Sequence, residues 1–127
     1  MDSALRDKLL SKAMSAMENA YAPYSQYRVG AAALGKSGEI YSGCNVENAS
    51  YGATICAERN AVCHGVACGE QEFTAIAVVS SGDMPYPCGI CLQVLCELAP
   101  NASVVLMAGG KTELTSVKEL IPKGFRL

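Results

Sequence analysis

The sequence predicts an α/β fold, a three-layer α/β/α sandwich on a mixed five-stranded sheet, and three observations support it. Phe73-Thr74-Ala75-Ile76-Ala77-Val78-Val79-Ser80 is an almost unbroken run of β-formers, the pattern of a central strand covered on both faces. Two shorter β-prone runs flank the turn Gly35-Lys36-Ser37-Gly38, as the arms of a hairpin do. Segments of helical periodicity stand between the strands, giving the order α-β-β-α-β-α-β-(β)-α.

Residues 3–20 read as the first helix, because Leu5, Leu9, Met14, Met17 and Ala20 recur near the 3.6-residue period; Ser3 is its expected N-cap. Ala22-Pro23-Tyr24-Ser25 breaks that pattern, and residues 27–34 and 39–45 form the hairpin arms. Residues 45–52 are small and polar and read as a loop, after which Thr54 is expected to cap a helix over residues 55–66. The central strand, residues 73–80, is followed by a loop with two prolines and by a helix over residues 88–98 that Pro100 stops. Residues 103–107 form another buried strand, and Ser116-Val117-Lys118-Glu119 is a capping box on a last short helix.

The 127 residues are expected to form one domain, residues 1–127, without repeats or linkers. Half of them are hydrophobic, and so much apolar surface on a small chain points to self-association. Net charge is −2 with no basic run, which disfavours a nucleic-acid strand as partner and favours a small molecule. Seven cysteines, an odd number, with no apolar leader segment argue against a disulfide framework and for reduced thiols in the cytoplasm. No stretch approaches the roughly 20 apolar residues of a membrane span.

The chemistry concentrates in Cys56-Ala57-Glu58, Pro87-Cys88 and Cys91. Cys88-Gly89-Ile90-Cys91 is a C-x-x-C pair, which lets two thiolates reach one metal across a helical turn; alone it could equally be a pair of buried or redox thiols. Cys56 can supply a third thiolate, and three protein ligands leave the fourth position of a tetrahedral zinc open, as catalytic sites do. A structural site would need a fourth ligand; Cys44, Cys63, Cys68 and Cys96 are available by count but form no second C-x-x-C. Glu58 lies two residues beyond Cys56 and can move protons for a water at the metal. Both ligand groups fall at helix starts, where the dipole and free N–H groups stabilise thiolate. Three thiolates on Zn²⁺ leave a net negative charge, and Arg59, one turn from Cys56, can donate to a sulfur and offset it. His64, the single histidine, lies about 12 Å along the helix from Cys56 and reads as a helix-surface residue. Asn45 and Glu47 are two apart at a strand end and point the same way, an amide and a carboxylate suited to a sugar diol.

The spacing of Cys56, Glu58, Pro87, Cys88 and Cys91 is the all-cysteine version of the zinc-dependent base deaminase pattern. Three longer motifs extend the likeness: Ala22-Pro23-Tyr24-Ser25-Gln26-Tyr27-Arg28-Val29-Gly30-Ala31-Ala32, Gly43-Cys44-Asn45-Val46-Glu47-Asn48-Ala49-Ser50-Tyr51-Gly52, and Cys56-Ala57-Glu58-Arg59-Asn60-Ala61. Over nearly its full length the chain resembles the homotetrameric, single-domain cytidine deaminases. The resemblance implies hydrolytic deamination of cytidine and 2′-deoxycytidine to uridine and 2′-deoxyuridine, with one zinc per chain. It further implies that Asn45 and Glu47 bind the ribose 3′-hydroxyl, that Tyr27 packs on the nucleoside, and that the backbone at Ala57 holds the pyrimidine O2. Residues Ala49, Tyr51 and Phe125 are then expected to reach into a neighbouring subunit's site. One departure stands out: the family usually has arginine directly after the second C-x-x-C cysteine, and this chain has Leu92. Arg59 would then carry the charge compensation alone.

Two other readings are compatible with the sequence. A deaminase of antibiotic nucleosides such as blasticidin would share the fold, but the Asn45/Glu47 pair argues for ribose. A non-enzymatic zinc or thiol-redox protein is the reading from another class. Helix residues Ala57, Ala61, Val62 and Val66 are expected to let neighbouring subunits approach closely.

Overall fold

In the computed structural model, which describes residues 1–127, the chain begins with α1 (Ser3–Met17) and a hairpin of β1 (Val29–Gly35) and β2 (Ile40–Cys44). A 3-10 turn (Tyr51–Ala53) leads to α2 (Ala57–Ala67), β3 (Phe73–Ser80) and α3 (Gly89–Leu98). A second antiparallel pair, β4 (Ser103–Ala108) and β5 (Lys111–Ser116), precedes the short α4 (Val117–Leu120). The five strands form one mixed sheet in the order β2-β1-β3-β4-β5. No helix is long and apolar enough to cross a membrane.

Strand direction positions the site. β1 is antiparallel to both β2 and β3, so β2 and β3 run the same way, and β4 is parallel to β3. The carboxyl ends of β2 and β3 therefore lie at one edge of the sheet. The helices that follow them, α2 and α3, both start there, at the edge where open α/β sheets place ligands.

Alternation along the strands divides the core into two layers. Ala32, Ala75, Ala77, Val79 and Val105 face α1, where Leu9, Leu10 and Ala13 cover them. Val29, Ala31, Ala33, Ile76, Val78, Val104 and Leu106 face the other way, onto Ala61 and Val62 of α2 and Leu95 of α3. The central strand is thus buried on both faces, as its unbroken apolar run requires. Close approach depends on missing methyls: a Cβ on Gly30 would lie 2.0 Å from the Ala13 carbonyl oxygen, and one on Gly43 would lie 2.4 Å from Ala61 N in α2.

Several expectations about boundaries are corrected. Asp2, not Ser3, caps α1: its carboxylate accepts from Leu5 N at 2.8 Å, and Ser3 is already helical. The helix ends at Met17 because Tyr21 leaves it to bridge Val46. The first hairpin arm starts at Val29, since the residues before it form a turn with Gln26 at φ 61°. Cys56, not Thr54, is the N-cap of α2; the Thr54 hydroxyl instead accepts from Asn48 N at 3.2 Å. The final cap stands as expected, with Ser116 Oγ accepting from Glu119 N at 3.2 Å. The expected packing face on α2 is also corrected. Ala57, Ala61 and Val62 are fully buried against the chain's own sheet, and of the four residues only Val66, 45% exposed, is free to meet another subunit.

Candidate active site

The starts of α2 and α3 bring the three predicted thiols together. Cys56 is the N-cap of α2, Cys88 the N-cap of α3, and Cys91 lies in the first turn of α3. Their sulfurs all lie within 4.8 Å of one another, and Cys56 Sγ is 3.9 Å from Cys88 Sγ. That is far longer than a disulfide bond of about 2.05 Å. It matches the edge of a tetrahedron with metal–sulfur bonds of about 2.3 Å, which is about 3.8 Å. The donor set therefore fits a metal of zinc's size and softness. The remaining cysteines, Cys44, Cys63, Cys68 and Cys96, do not join this cluster.

Two of the sulfurs, those of Cys88 and Cys56, lie against N–H donors. The Cys91 backbone N–H donates to Cys88 Sγ at 3.5 Å, so the cap bond of α3 is made to a sulfur of the cluster. Arg59 Nη2 lies 3.8 Å from Cys56 Sγ and donates to the Thr54 carbonyl at 3.2 Å. The Arg59 Nε is buried without a partner, so the guanidinium has donor capacity to spare beside the sulfurs. The Cys91 thiol, then Arg59 and Cys88, lower Cys56 to about 5, while the same Cys56–Cys91 bond pushes Cys91 up. Of this pair Cys56 is the thiolate and Cys91 keeps the proton, which a bound cation would displace.

Glu58 is 4% exposed, one residue inside α2. Burial pushes its carboxyl up to about 7, with the nearby Cys56 adding to the effect. A carboxyl held near neutrality can both accept and return a proton, as a general acid/base must.

One cavity of about 310 Å³ is lined by Glu58, Cys56 and Cys88 together with Tyr27, Asn45 and Glu47. Ala57 lines the same cavity, and Cys56 makes no side-chain cap bond, so the first N–H groups of α2 receive no side-chain partner there. Asn45 is buried and well engaged: its Oδ1 accepts from Val29 N at 2.9 Å and its Nδ2 donates to the Tyr27 carbonyl at 2.8 Å. Glu47 Oε1 accepts from Tyr24 N and Ser25 N at 3.0 and 3.1 Å, and its Oε2 from the Ser25 hydroxyl. The Tyr27 hydroxyl donates to the Asp83 carbonyl at 2.9 Å, tying this residue to the loop before α3.

The structure does not bring Ala49, Tyr51 and Phe125 into that cavity. Ala49 is exposed, the Tyr51 ring is 80% exposed, and Phe125 is 67% exposed with only its carbonyl held, by Gln93 Nε2 at 2.8 Å. His64 is exposed, with Nδ1 3.0 Å from the Ser42 carbonyl oxygen, away from the sulfurs. Sequence reasoning does not single out Pro85 and Tyr86, which close the cavity beside Cys88. Their position immediately before Pro87-Cys88 was the available signal, but it says nothing of where the loop turns. Nor does it single out Ser25, whose role depends on a contact with Glu47 across 22 positions.

Residues 3–107 match the family model for the cytidine and deoxycytidylate deaminase zinc-binding region. A cytidine deaminase of Halalkalibacterium halodurans is 44% identical over 123 residues, 94% of this chain and 93% of that protein. One from Mycobacterium tuberculosis is 48% identical over 120 residues, 94% of this chain and 88% of its own. A blasticidin-S deaminase of Bacillus cereus is 33% identical over 110 residues, covering 77% of this chain and 76% of that one. Among solved structures, cytidine deaminase from Burkholderia pseudomallei superposes with a TM-score of 0.89 at 43% identity, covering 98% of this chain and all of the other. With its thiol cluster, its buried glutamate and this likeness along nearly its whole length, the chain belongs to the cytidine and deoxycytidylate deaminase family of enzymes.

Proposed function

We propose that this enzyme hydrolyses cytidine and 2′-deoxycytidine to uridine and 2′-deoxyuridine with release of ammonia, a step of pyrimidine salvage in the cytoplasm. The observation that carries the reading is that Cys56, Cys88 and Glu58 line the same cavity as Tyr27, Asn45 and Glu47. Cys56, Cys88 and Cys91 hold one zinc per chain, all within a single domain of residues 1–127. A bound zinc supplies the Lewis acidity that makes water a nucleophile near neutral pH. Glu58 would take one proton from the attacking water and deliver it to N3 of the pyrimidine as the water oxygen bonds to C4; it would then take the remaining proton of that oxygen and pass it to the amine, so that the C4–N bond breaks and ammonia leaves. The backbone at Ala57 holds O2, and Arg59 draws charge from the thiolate sulfurs.

The sugar side is supported by counting what Asn45 and Glu47 have left. After their bonds within the chain, Asn45 keeps one N–H and one lone pair, and Glu47 keeps one lone pair on Oε2. A single hydroxyl can accept from the first and donate to the last. That suits the 3′-hydroxyl, which both nucleosides carry, and demands nothing of the 2′ position. In a homotetramer, Ala49, Tyr51 and Phe125 would complete the sites of neighbouring subunits.

Absorbance loss measured side by side with cytidine, 2′-deoxycytidine and blasticidin S is the test. Turnover of both nucleosides and not of blasticidin S is expected. Turnover of blasticidin S alone would replace this reading with that of an antibiotic deaminase.

A further inference from the structure

Residues 24–27 make a turn with strain at one point: Gln26, at φ 61°, is the one non-glycine residue of the chain with positive φ. A side chain disfavours that conformation, so something must hold it. Gln26 N donates to the Ala22 carbonyl at 3.0 Å and its Nε2 to the Pro23 carbonyl at 3.1 Å. The turn places Ser25 Oγ where it accepts from Tyr27 N at 3.0 Å while donating to Glu47 Oε2. The backbone N–H groups of Tyr24 and Ser25 both go to Glu47 Oε1. All three hydrogen bonds that Glu47 accepts through its side chain therefore come from this one turn. Water could solvate a carboxylate at this half-exposed position equally well. Three bonds from one rigid segment add direction, not solvation.

We propose that Ser25 is a positioning residue for Glu47, locking the carboxylate so that one Oε2 lone pair is presented to a single sugar hydroxyl. The proposal rests on the reading that Glu47 binds the sugar. The terminal torsion of a glutamate is broad, and an unheld carboxylate would offer either oxygen. Held on three sides, it is ordered when the chain folds and not when the substrate arrives, which favours tight and selective binding. The Ser25 hydroxyl, ahead of the two backbone N–H groups, also holds the Glu47 carboxyl below the usual carboxylate range, keeping it an acceptor only. The same serine fixes the backbone of Tyr27, so one side chain orients both polar and aromatic parts of the cavity lining.

The test compares zinc-loaded Ser25→Ala, Ser25→Thr and Glu47→Gln with the parent enzyme, using cytidine and 3′-deoxycytidine as substrates. Ser25→Ala is expected to raise KM for cytidine roughly tenfold, the scale of one lost hydrogen bond to a charged group, with kcat changing less. Its preference for cytidine over 3′-deoxycytidine should fall by a similar factor, and Ser25→Thr should restore both values. An unchanged preference in Ser25→Ala overturns the proposal. So does an equal loss on both substrates accompanied by a lower melting temperature, which would mark a merely structural serine. Glu47→Gln separates the two layers of the argument. If it too leaves the preference intact, the sugar reading itself is wrong; if it abolishes the preference and Ser25→Ala does not, only the role of Ser25 fails.

Discussion

Arg59 and Cys56 stand one helical turn apart at the start of α2, with Nη2 3.8 Å from Sγ and the Nε buried beside them unpaired. On the proposed reading Arg59 offsets the thiolate charge, and the position directly after Cys91 is Leu92, which offers no cation. Arg59→Ala is therefore expected to keep its zinc at saturating metal, to lose activity, and to shift a limb of the rate–pH profile. A profile identical to the parent's would reduce Arg59 to a brace for the Thr54 carbonyl.

Removing one ligand should release the metal. Cys88→Ala leaves two sulfurs of a set that fits a tetrahedral ion, and metal analysis of the purified variant should find most zinc gone. Full occupancy would refute the ligand assignment.

Glu58→Gln tests the proton carrier. The amide fills the same buried space but cannot cycle a proton, so turnover should drop by roughly 10²–10⁴. Zinc content and cytidine binding, measured by calorimetry, should persist. Loss of the metal in this variant would make Glu58 a ligand, contrary to its proposed role.

The cysteine spacing was legible because ligand geometry is local: a C-x-x-C at a helix start meets a metal wherever the helix lies. Phe73–Ser80 was legible end to end for the same reason, since its apolar run is its own signal. The caps were not. Asp2 against Ser3, and Cys56 against Thr54, are choices among neighbouring polar residues that depend on where the preceding chain comes from. Thr54 was drawn off by Asn48 and Arg59, neither of which a linear reading can bring to it. The depth of Glu58 was equally hidden, because burial is set by the sheet beneath α2 and not by the helix.

A carboxylate outside the active site should govern part of the acid response. Glu70, 7% exposed, accepts from Tyr41 Oη at 3.0 Å, from Ser37 N at 3.3 Å and from the Ser37 hydroxyl, buttressing the β1–β2 turn. The Ser37 hydroxyl above all holds its carboxyl below the usual range. A group whose folded pKa is depressed contributes stability above its unfolded pKa and loses it as pH falls through the folded one. The melting advantage of the parent over Glu70→Gln should thus be full at neutral pH and shrink below about pH 4.3, the ordinary glutamate value. An advantage constant from pH 7 to pH 3 would assign it to shape and not to charge.

Assembly is expected to matter for activity. Phe125, Tyr51 and Ile90 are exposed at 67%, 80% and 63%, and none lies in the chain's own cavity. In the proposed homotetramer, Phe125→Ala should weaken nucleoside binding and leave zinc in place. Sedimentation at assay concentration decides the matter: a fully active monomer would end the idea of shared sites.

Gly43 sets how freely this sequence can drift. A methyl there would lie 2.4 Å from Ala61 N and 2.8 Å from the Ala57 carbonyl oxygen, both backbone atoms of α2. Backbone cannot swing aside as a side chain can, so the first turns of the helix would have to move outward. Cys56 and Glu58 ride on that turn, while Cys88 and Cys91 ride on another helix. A hydrogen-sized side chain that touches neither ion nor nucleoside is thereby bound to the register between the two halves of the chemistry. A substitution at residue 43 would thus reach the chemistry through the placement of α2, and an assay of the reaction alone would not reveal why.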